Sequence, residues 1–249
     1  GFVLFALASG MLLTAAETGG DGNYRNAGIA AVVGLACGFA YWHYGRRAKH
    51  PVVDLTLLKV RSFNIAVGGG MCMRLGTAGL SFILMLFLQV GCGWTPTAAG
   101  MMIVPQAIAM VLMKLFIDRI LKRYGYRRTL FVNTAIATAL LACFALFDAT
   151  TPWWMIAALM FAYGFVMSLQ YTAMNTLAFV DLAPDRAAQA SSVTSATQYL
   201  VISFGIALSS WLLAVFLNGR HHDPAGYVHG FRAAVLVMAA LSLVAVYVF

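Results

Sequence analysis

The sequence predicts an all-α fold, a polytopic membrane helical bundle of about eight transmembrane helices. Three observations lead there. Of the 249 residues, 62% are hydrophobic and 10% charged, against about 45–50% apolar and about 25% charged in soluble domains. The apolar residues gather into runs near the ~20 residues that a helix needs to cross a bilayer. The basic residues gather into every second loop between those runs. A soluble enzyme and a nucleic-acid-binding domain are excluded by this composition, despite a net charge of +8. In a membrane protein the position of that charge along the chain carries more than its sum.

Taken in order, the apolar segments are about 1–16, 26–44, 64–90, 97–117, 129–147, 152–179, 189–217 and 230–249. The chain opens inside the first at Gly1 and closes inside the last at Phe249, without the shape of a signal peptide. It therefore reads as part of a longer membrane protein. Gly34 and Gly38, four apart, suit close helix approach. The loops are short, so consecutive helices are expected to be antiparallel neighbours. The cysteines Cys37, Cys72, Cys92 and Cys143 form no CxxC pair and are expected to be buried, inert thiols.

Loop 45–63 holds Arg46, Arg47, Lys49, Lys59 and Arg61, loop 118–128 holds Arg119, Lys122, Arg123, Arg127 and Arg128, and loop 181–188 holds Arg186. The alternate loops hold only Arg25 and Arg220. Eleven against two predicts that the basic loops are cytoplasmic, in the cell inner (plasma) membrane. Trp94, Trp153 and Trp154 then fall at the outer boundary, where interface aromatics collect.

Polar groups inside the predicted spans mark a candidate cavity. A charge at mid-span costs about 2.5–3.5 kcal/mol and usually faces a cavity or a partner. Arg74 lies ten residues into its segment, roughly 15 Å deep, too deep for easy snorkelling. Thr77, Ser81, Met85 and Gln89 follow at helical spacing as a polar stripe. Lys114 follows Gln106 and Met110 at intervals of four, near a span end, where snorkelling competes with a cavity role. Gln170, Tyr171, Met174 and Asn175 cluster in the sixth segment, and Thr194 precedes Gln198 by one turn in the seventh. Each such group alone could simply join two helices. Four helices with polar stripes favour a shared cavity.

The eight carboxylates, Glu17, Asp21, Asp54, Asp118, Asp148, Asp181, Asp185 and Asp223, all fall in loops or at span ends. No proton-coupling acid is therefore expected within these spans. No GxxxxGK[ST] phosphate loop and no nucleophile–base cluster is present, so no enzyme, catalytic residue or cofactor is expected. His221, His222 and His229 with Asp223 lack a diagnostic ligand spacing, and a solvated loop is expected rather than a metal site.

Several stretches carry a resemblance. His50-Pro51-Val52-Val53-Asp54-Leu55-Thr56-Leu57-Leu58-Lys59-Val60-Arg61-Ser62-Phe63 resembles the PLxDLxLFRxRxF stretch of the fourteen-helix drug:proton antiporters, the EmrB/QacA-type branch of the major facilitator superfamily. Leu88-Gln89, Gly93, Thr95-Pro96, Ala99-Gly100 and Pro105 are similar to that branch's LQxxxGxSPxxAGxxxxP segment. Ala188, Ala190-Ser191, Gln198, Leu200 and Gly205 resemble its GxASxxxxxxRxLxxxxG segment, with Ala188 for Gly and Gln198 for Arg. Arg74-Leu75-Gly76-Thr77 and Met174-Asn175-Thr176-Leu177 look like the MdtD-type members. Lys122-Arg123-Tyr124-Gly125-Tyr126-Arg127-Arg128 resembles the superfamily's DRxGxRR loop, with Lys122 in place of the acid and Asp118 where Gly is usual.

The resemblance implies a division of the chain. Residues 1–45 would be two extra transmembrane helices, the first truncated. Residues 46–63 would be a cytoplasmic basic linker, and 64–249 the six-helix C-terminal half. It also implies multidrug-type export of apolar or cationic small molecules by alternating access, driven by proton antiport. The implied partners are the lipid bilayer, the small-molecule substrate, protons and the missing N-terminal half, with no nucleic acid. Asp118, Arg123, Gly125, Arg127 and Arg128 would belong to the gating loop. An uptake symporter for a small metabolite and a non-transporting membrane scaffold are the alternatives.

Overall fold

The computed structural model describes residues 10–11, 14–15, 24–45, 60–182, 186–217 and 224–248. Among the described residues there is no strand. The helices are α1 (Tyr24–Gly45), α2 (Arg61–Gly91), α3 (Pro96–Met113), α4 (Ile117–Tyr124), α5 (Tyr126–Leu146), α6 (Trp153–Phe179), α7 (Ala187–Leu217) and α8 (Pro224–Val248). Six of these, α2, α3 and α5 to α8, are long and apolar enough to cross a membrane. The predicted segment 26–44 corresponds to α1, whose apolar stretch, Gly28–Ala40, is shorter than a span. Most of segment 1–16, the linker residues 46–59, and His221, His222 and Asp223 lie outside the described residues.

Helix ends follow local chemistry. The Thr95 hydroxyl accepts a hydrogen bond from Ala98 N at 3.3 Å, and Pro96 occupies the first turn of α3. That is a side-chain cap followed by a residue with no N–H to satisfy. Serine could cap in the same way, which explains why Thr95 can stand in the Ser position of the LQxxxGxSPxxAGxxxxP pattern. Inside α3 the hydrogen bonds tighten to three-residue turns at Met102 and Ile103, just before Pro105. The proline ring cannot donate to the preceding turn.

Two expectations from the loops are corrected. The predicted loop 118–128 is mostly helix: α4 carries Ile117, Ile120 and Leu121 on a face packed beside Met113, Phe165 and Leu169. The last helix starts at Pro224 rather than near 230, because proline is well placed at a helix start. The thiol expectation is corrected as well. The four cysteines are free, but Cys37, Cys72 and Cys92 are half-buried and Cys143 is exposed.

Short loops do not dictate the packing. The pairs α5–α6 and α7–α8 are neighbours as expected, but α3 packs chiefly on α6 rather than on α2 or α5. Helix α2 lies among α8, α7 and α6. Small residues select these non-sequential partners. A Cβ on Gly205 of α7 would sit 2.9 Å from the Ala78 Cβ and 3.1 Å from the Arg74 carbonyl oxygen. Any side chain there would push α7 off α2 at the level of Arg74. Gly76 of α2 similarly abuts Met238 and Ser242 of α8. The largest core runs through Met73, Leu80, Ile83, Phe87, Leu141, Phe144, Met160, Phe231 and Met238. Phe87 and Phe231 stack at 4.4 Å between centroids.

A polar clasp joins α5 to α8. Arg232 Nε donates to the Phe147 carbonyl at 2.8 Å, and its Nη2 lies 3.9 Å from an Asp148 carboxylate oxygen. Asp148 Oδ1 also accepts from the Thr150 hydroxyl at 2.7 Å, Thr150 N at 2.9 Å and the Thr151 hydroxyl at 3.2 Å. These bonds, chiefly those from Thr150 and with a smaller part from Arg232, hold the Asp148 carboxyl below the usual carboxylate range. A depressed folded-state value contributes stability above the unfolded pKa, and that contribution is lost as pH falls through the folded value. Asp148→Asn is therefore expected to flatten the acid limb of a melting-temperature profile in detergent. An unchanged acid limb would show that the clasp contributes nothing.

Candidate functional site

A narrow cleft opens between α2, α6 and α7. Its polar wall is Arg74, Asn175, Thr194, Thr197 and Gln198, and its apolar wall includes Val67, Met71, Met174 and Val201. Its free volume is about 20 Å³, enough for a single water. Arg74 is 6% exposed. Its guanidinium carbon lies 4.5 Å from the centroid of the Tyr171 ring, an interaction of about 0.5–2 kcal/mol. The Arg74 Nε and the Thr194 hydroxyl are both buried without a hydrogen-bond partner. Gln198 Nε2 donates to Asn175 Oδ1 at 2.8 Å across α6 and α7.

Thus four predicted residues, Arg74, Tyr171, Asn175 and Gln198, come together at one place. Thr77 is buried next to them, with its hydroxyl donating to the Met73 carbonyl at 2.8 Å. The rest of the predicted stripe does not join them. Helix α2 is interrupted at Ala78–Gly79 and widens into a π-helical turn over Phe87–Gly91. Half-buried Ser81 and Gln89 lie away from the cleft wall, which on α2 runs from Ala66 to Arg74. Gln106 packs beside Gly164 of α6 instead. Lys114 is exposed at the end of α3, the position of a snorkelling lysine.

Gln170 is fully buried and serves a different purpose. Its Oε1 accepts from Asn133 Nδ2 at 2.7 Å, and its Nε2 donates to the Thr134 hydroxyl at 2.7 Å. Asn133 Nδ2 also donates to the Val166 carbonyl at 2.9 Å. This network staples α5 to α6 through groups that would otherwise be unsatisfied away from water.

The basic loop is built around Gly125, which ends α4 and begins α5 at φ 72° and ψ 166°. Asp118 lies in the first turn of α4, and Lys122 and Arg123 lie in the last, each charge matched to the helix dipole. The Arg123 guanidinium is 5.6 Å from the Tyr124 ring centroid. Arg127 and Arg128 are exposed in the first turn of α5, where the dipole disfavours them.

A family model described as the Major Facilitator Superfamily matches residues 1–206 and 66–249, in two overlapping placements. The chain belongs to the Major Facilitator Superfamily. It is similar to the putative multidrug resistance protein MdtD of Pectobacterium carotovorum, with 33% identity over 90% of the chain and 50% of that protein. It is also 33% identical to the protein of the same name from Pectobacterium atrosepticum, over 99% of the chain and 52% of that protein. A third relative is the probable transport protein HsrA of Haemophilus influenzae, 30% identical over 97% of the chain and 53% of that protein. The chain spans about half the length of the curated relatives it matches.

As a superfamily member the chain is a multi-pass membrane protein, in keeping with the six helices among its described residues that are long and apolar enough to cross a membrane. Sequence reasoning missed three features of this bundle. Arg232 stands three residues inside the last predicted segment, and that lone charge near a span boundary was the available signal. Asn133 and Thr134 form an adjacent polar pair inside the fifth predicted segment, which marks a helix staple. Tyr163 is buried with its hydroxyl unpartnered beside the Thr77 side chain, and nothing in its sequence context distinguishes it from a core aromatic.

Proposed function

We propose that this chain is one wall of a multidrug-type exporter of small molecules that works by alternating access with proton antiport. The observation that carries the reading is the Arg74 cleft: a buried cation, two amides and an unpartnered hydroxyl gathered beside apolar side chains. Intramembrane polar groups kept together against their desolvation cost suit a binding cavity better than a packing seam. The relatives' names support export. On this reading residues 64–249 form the C-terminal six-helix half and 1–45 an additional pair. Arg74, Thr77, Tyr171, Asn175 and Gln198 line the cargo path. Asp118, Arg123, Gly125, Arg127 and Arg128 form a cytoplasmic gating loop in an inner-membrane protein. Among the described residues, Asp118, Asp148 and Asp181 lie outside the six spans, so the coupling acids belong to the remainder of the protein.

Two measurements test this. Efflux of a panel of neutral, cationic and anionic fluorescent dyes is followed in drug-sensitive cells expressing the full-length protein. Export of at least one dye that collapses with the proton gradient is expected, and no export of any dye would overturn the reading in favour of a scaffold. Single cysteines at 59, 127 and 221 are labelled with an impermeant maleimide. Labelling from outside is expected at 221 alone, and labelling at 127 would invert the orientation.

A further inference from the structure

We propose that the cleft between α2, α6 and α7 receives the anionic group of an amphipathic organic anion, held by the guanidinium edge of Arg74 and the hydroxyl of Thr194. This rests on the cleft being the cargo site. Arg74 and Thr194 are both at least nine-tenths buried, and each presents a polar atom with no partner. Both line the same cleft. The guanidinium carbon of Arg74 lies over the Tyr171 ring. The Arg74 Nε has no hydrogen-bond partner, so at least one N–H of the guanidinium fork is uncommitted. A guanidinium with an uncommitted N–H suits the planar carboxylate or the sulfonate of an anionic cargo.

The electrostatics select the sign of the cargo. Among the described residues no carboxylate lines the cleft, and the ion pair present, Arg232–Asp148, belongs to the clasp between α5 and α8. Arg74 is the cleft's charged group, and burial weakens the screening of its charge. A permanent cation is repelled there and an anion attracted. Gln198 and Asn175 use one N–H and one oxygen on each other, which leaves further amide N–H groups as donors. Met71 and Val201 flank the polar end with apolar surface for a hydrocarbon body. The free volume, about that of one water, admits one oxygen of the anionic group, with the rest of the molecule in the open mouth of the cleft.

The test uses the full-length protein in detergent and three probes of similar ring area: 2-naphthoate, neutral 2-naphthamide and cationic N-methylquinolinium. Calorimetry is expected to give naphthoate an affinity about tenfold or more above the amide, as a charge-assisted fork should, with the quinolinium weakest. Arg74→Gln should bring the naphthoate-to-amide ratio close to one, Arg74→Lys should leave an intermediate ratio, and Thr194→Val should lower naphthoate binding selectively. Melting curves establish that each variant is folded. Equal affinities in the wild type, or a ratio that survives Arg74→Gln, would overturn the proposal. So would loss of all three ligands in folded Arg74→Gln, which would assign Arg74 to an acidic side chain of the protein itself. Dye export without preference for anions overturns this proposal alone, whereas absence of any export overturns the reading beneath it.

Discussion

Arg74→Leu is expected to abolish efflux of whichever dye the wild type exports best, with no loss of thermal stability. The two halves of that expectation come from one fact, a 6% exposed arginine with an unpartnered Nε. A charge inside a span costs about 2.5–3.5 kcal/mol, and the cation–π contact with Tyr171 returns only about 0.5–2 kcal/mol of it. Leucine removes both terms and fills much of the same space, so the variant should melt no lower than the wild type in detergent. Transport should fall at least about tenfold, the equivalent of one lost charge-assisted contact. Arg74→Lys should keep part of the activity, because the charge survives while the planar fork is lost. A large drop in melting temperature with Arg74→Leu would identify Arg74 as a structural partner. Normal efflux at normal expression would remove it from the cargo path.

Gly125→Val is expected to do comparable damage by an unrelated route, through folding rather than transport. At φ 72° and ψ 166° Gly125 occupies a region open essentially to glycine alone, and strain there is about 1–3 kcal/mol or more for a β-branched residue. A Cβ at this position would meet nothing within 4 Å, so the penalty comes entirely from the backbone. Two consequences separate this account from a steric one. Gly125→Ala should be destabilised as well, despite the open space. Gly125→Asn should not rescue, because asparagine tolerates the left-handed helical region but not this ψ. Lys122→Ala, by contrast, removes an exposed side chain whose dipole contribution is about 0.3–1 kcal/mol. Membrane expression and melting temperature of the four variants are the measurements. Equal loss in Lys122→Ala and Gly125→Val would show that Lys122 has a role in the loop that its exposure does not reveal.

Hydropathy made the spans legible because it reads burial in lipid directly, and α2, α3 and α5 to α7 begin and end within about four residues of the predicted segments. The burial of Arg74 was legible for a similar reason, since depth along a helix is simple arithmetic. What sits beside Arg74 was not. The cleft wall on α2 runs from Ala66 to Arg74, so Ser81 and Gln89, about two and about four turns further along, lie beyond it. Gln170 and Gln198 look alike in sequence, yet one is consumed by Asn133 and Thr134 while the other reaches the cleft. That difference depends on which helices meet, and helix partners such as α2–α8 and α3–α6 are chosen by close contacts between residues far apart in the chain.

The Asn133–Gln170–Thr134 staple limits how the bundle can change shape. Sliding α6 along α5 by one turn, about 5.4 Å, would break all three of its side-chain bonds. The staple therefore resists shear at that seam and favours movement of α5 and α6 as one body. Helix α2 also packs on α6, meeting it at the cleft through the Arg74–Tyr171 contact, and is interrupted at Ala78–Gly79. That interruption lies one turn from Arg74, so a bend of α2 there would move the charge that the cargo would touch.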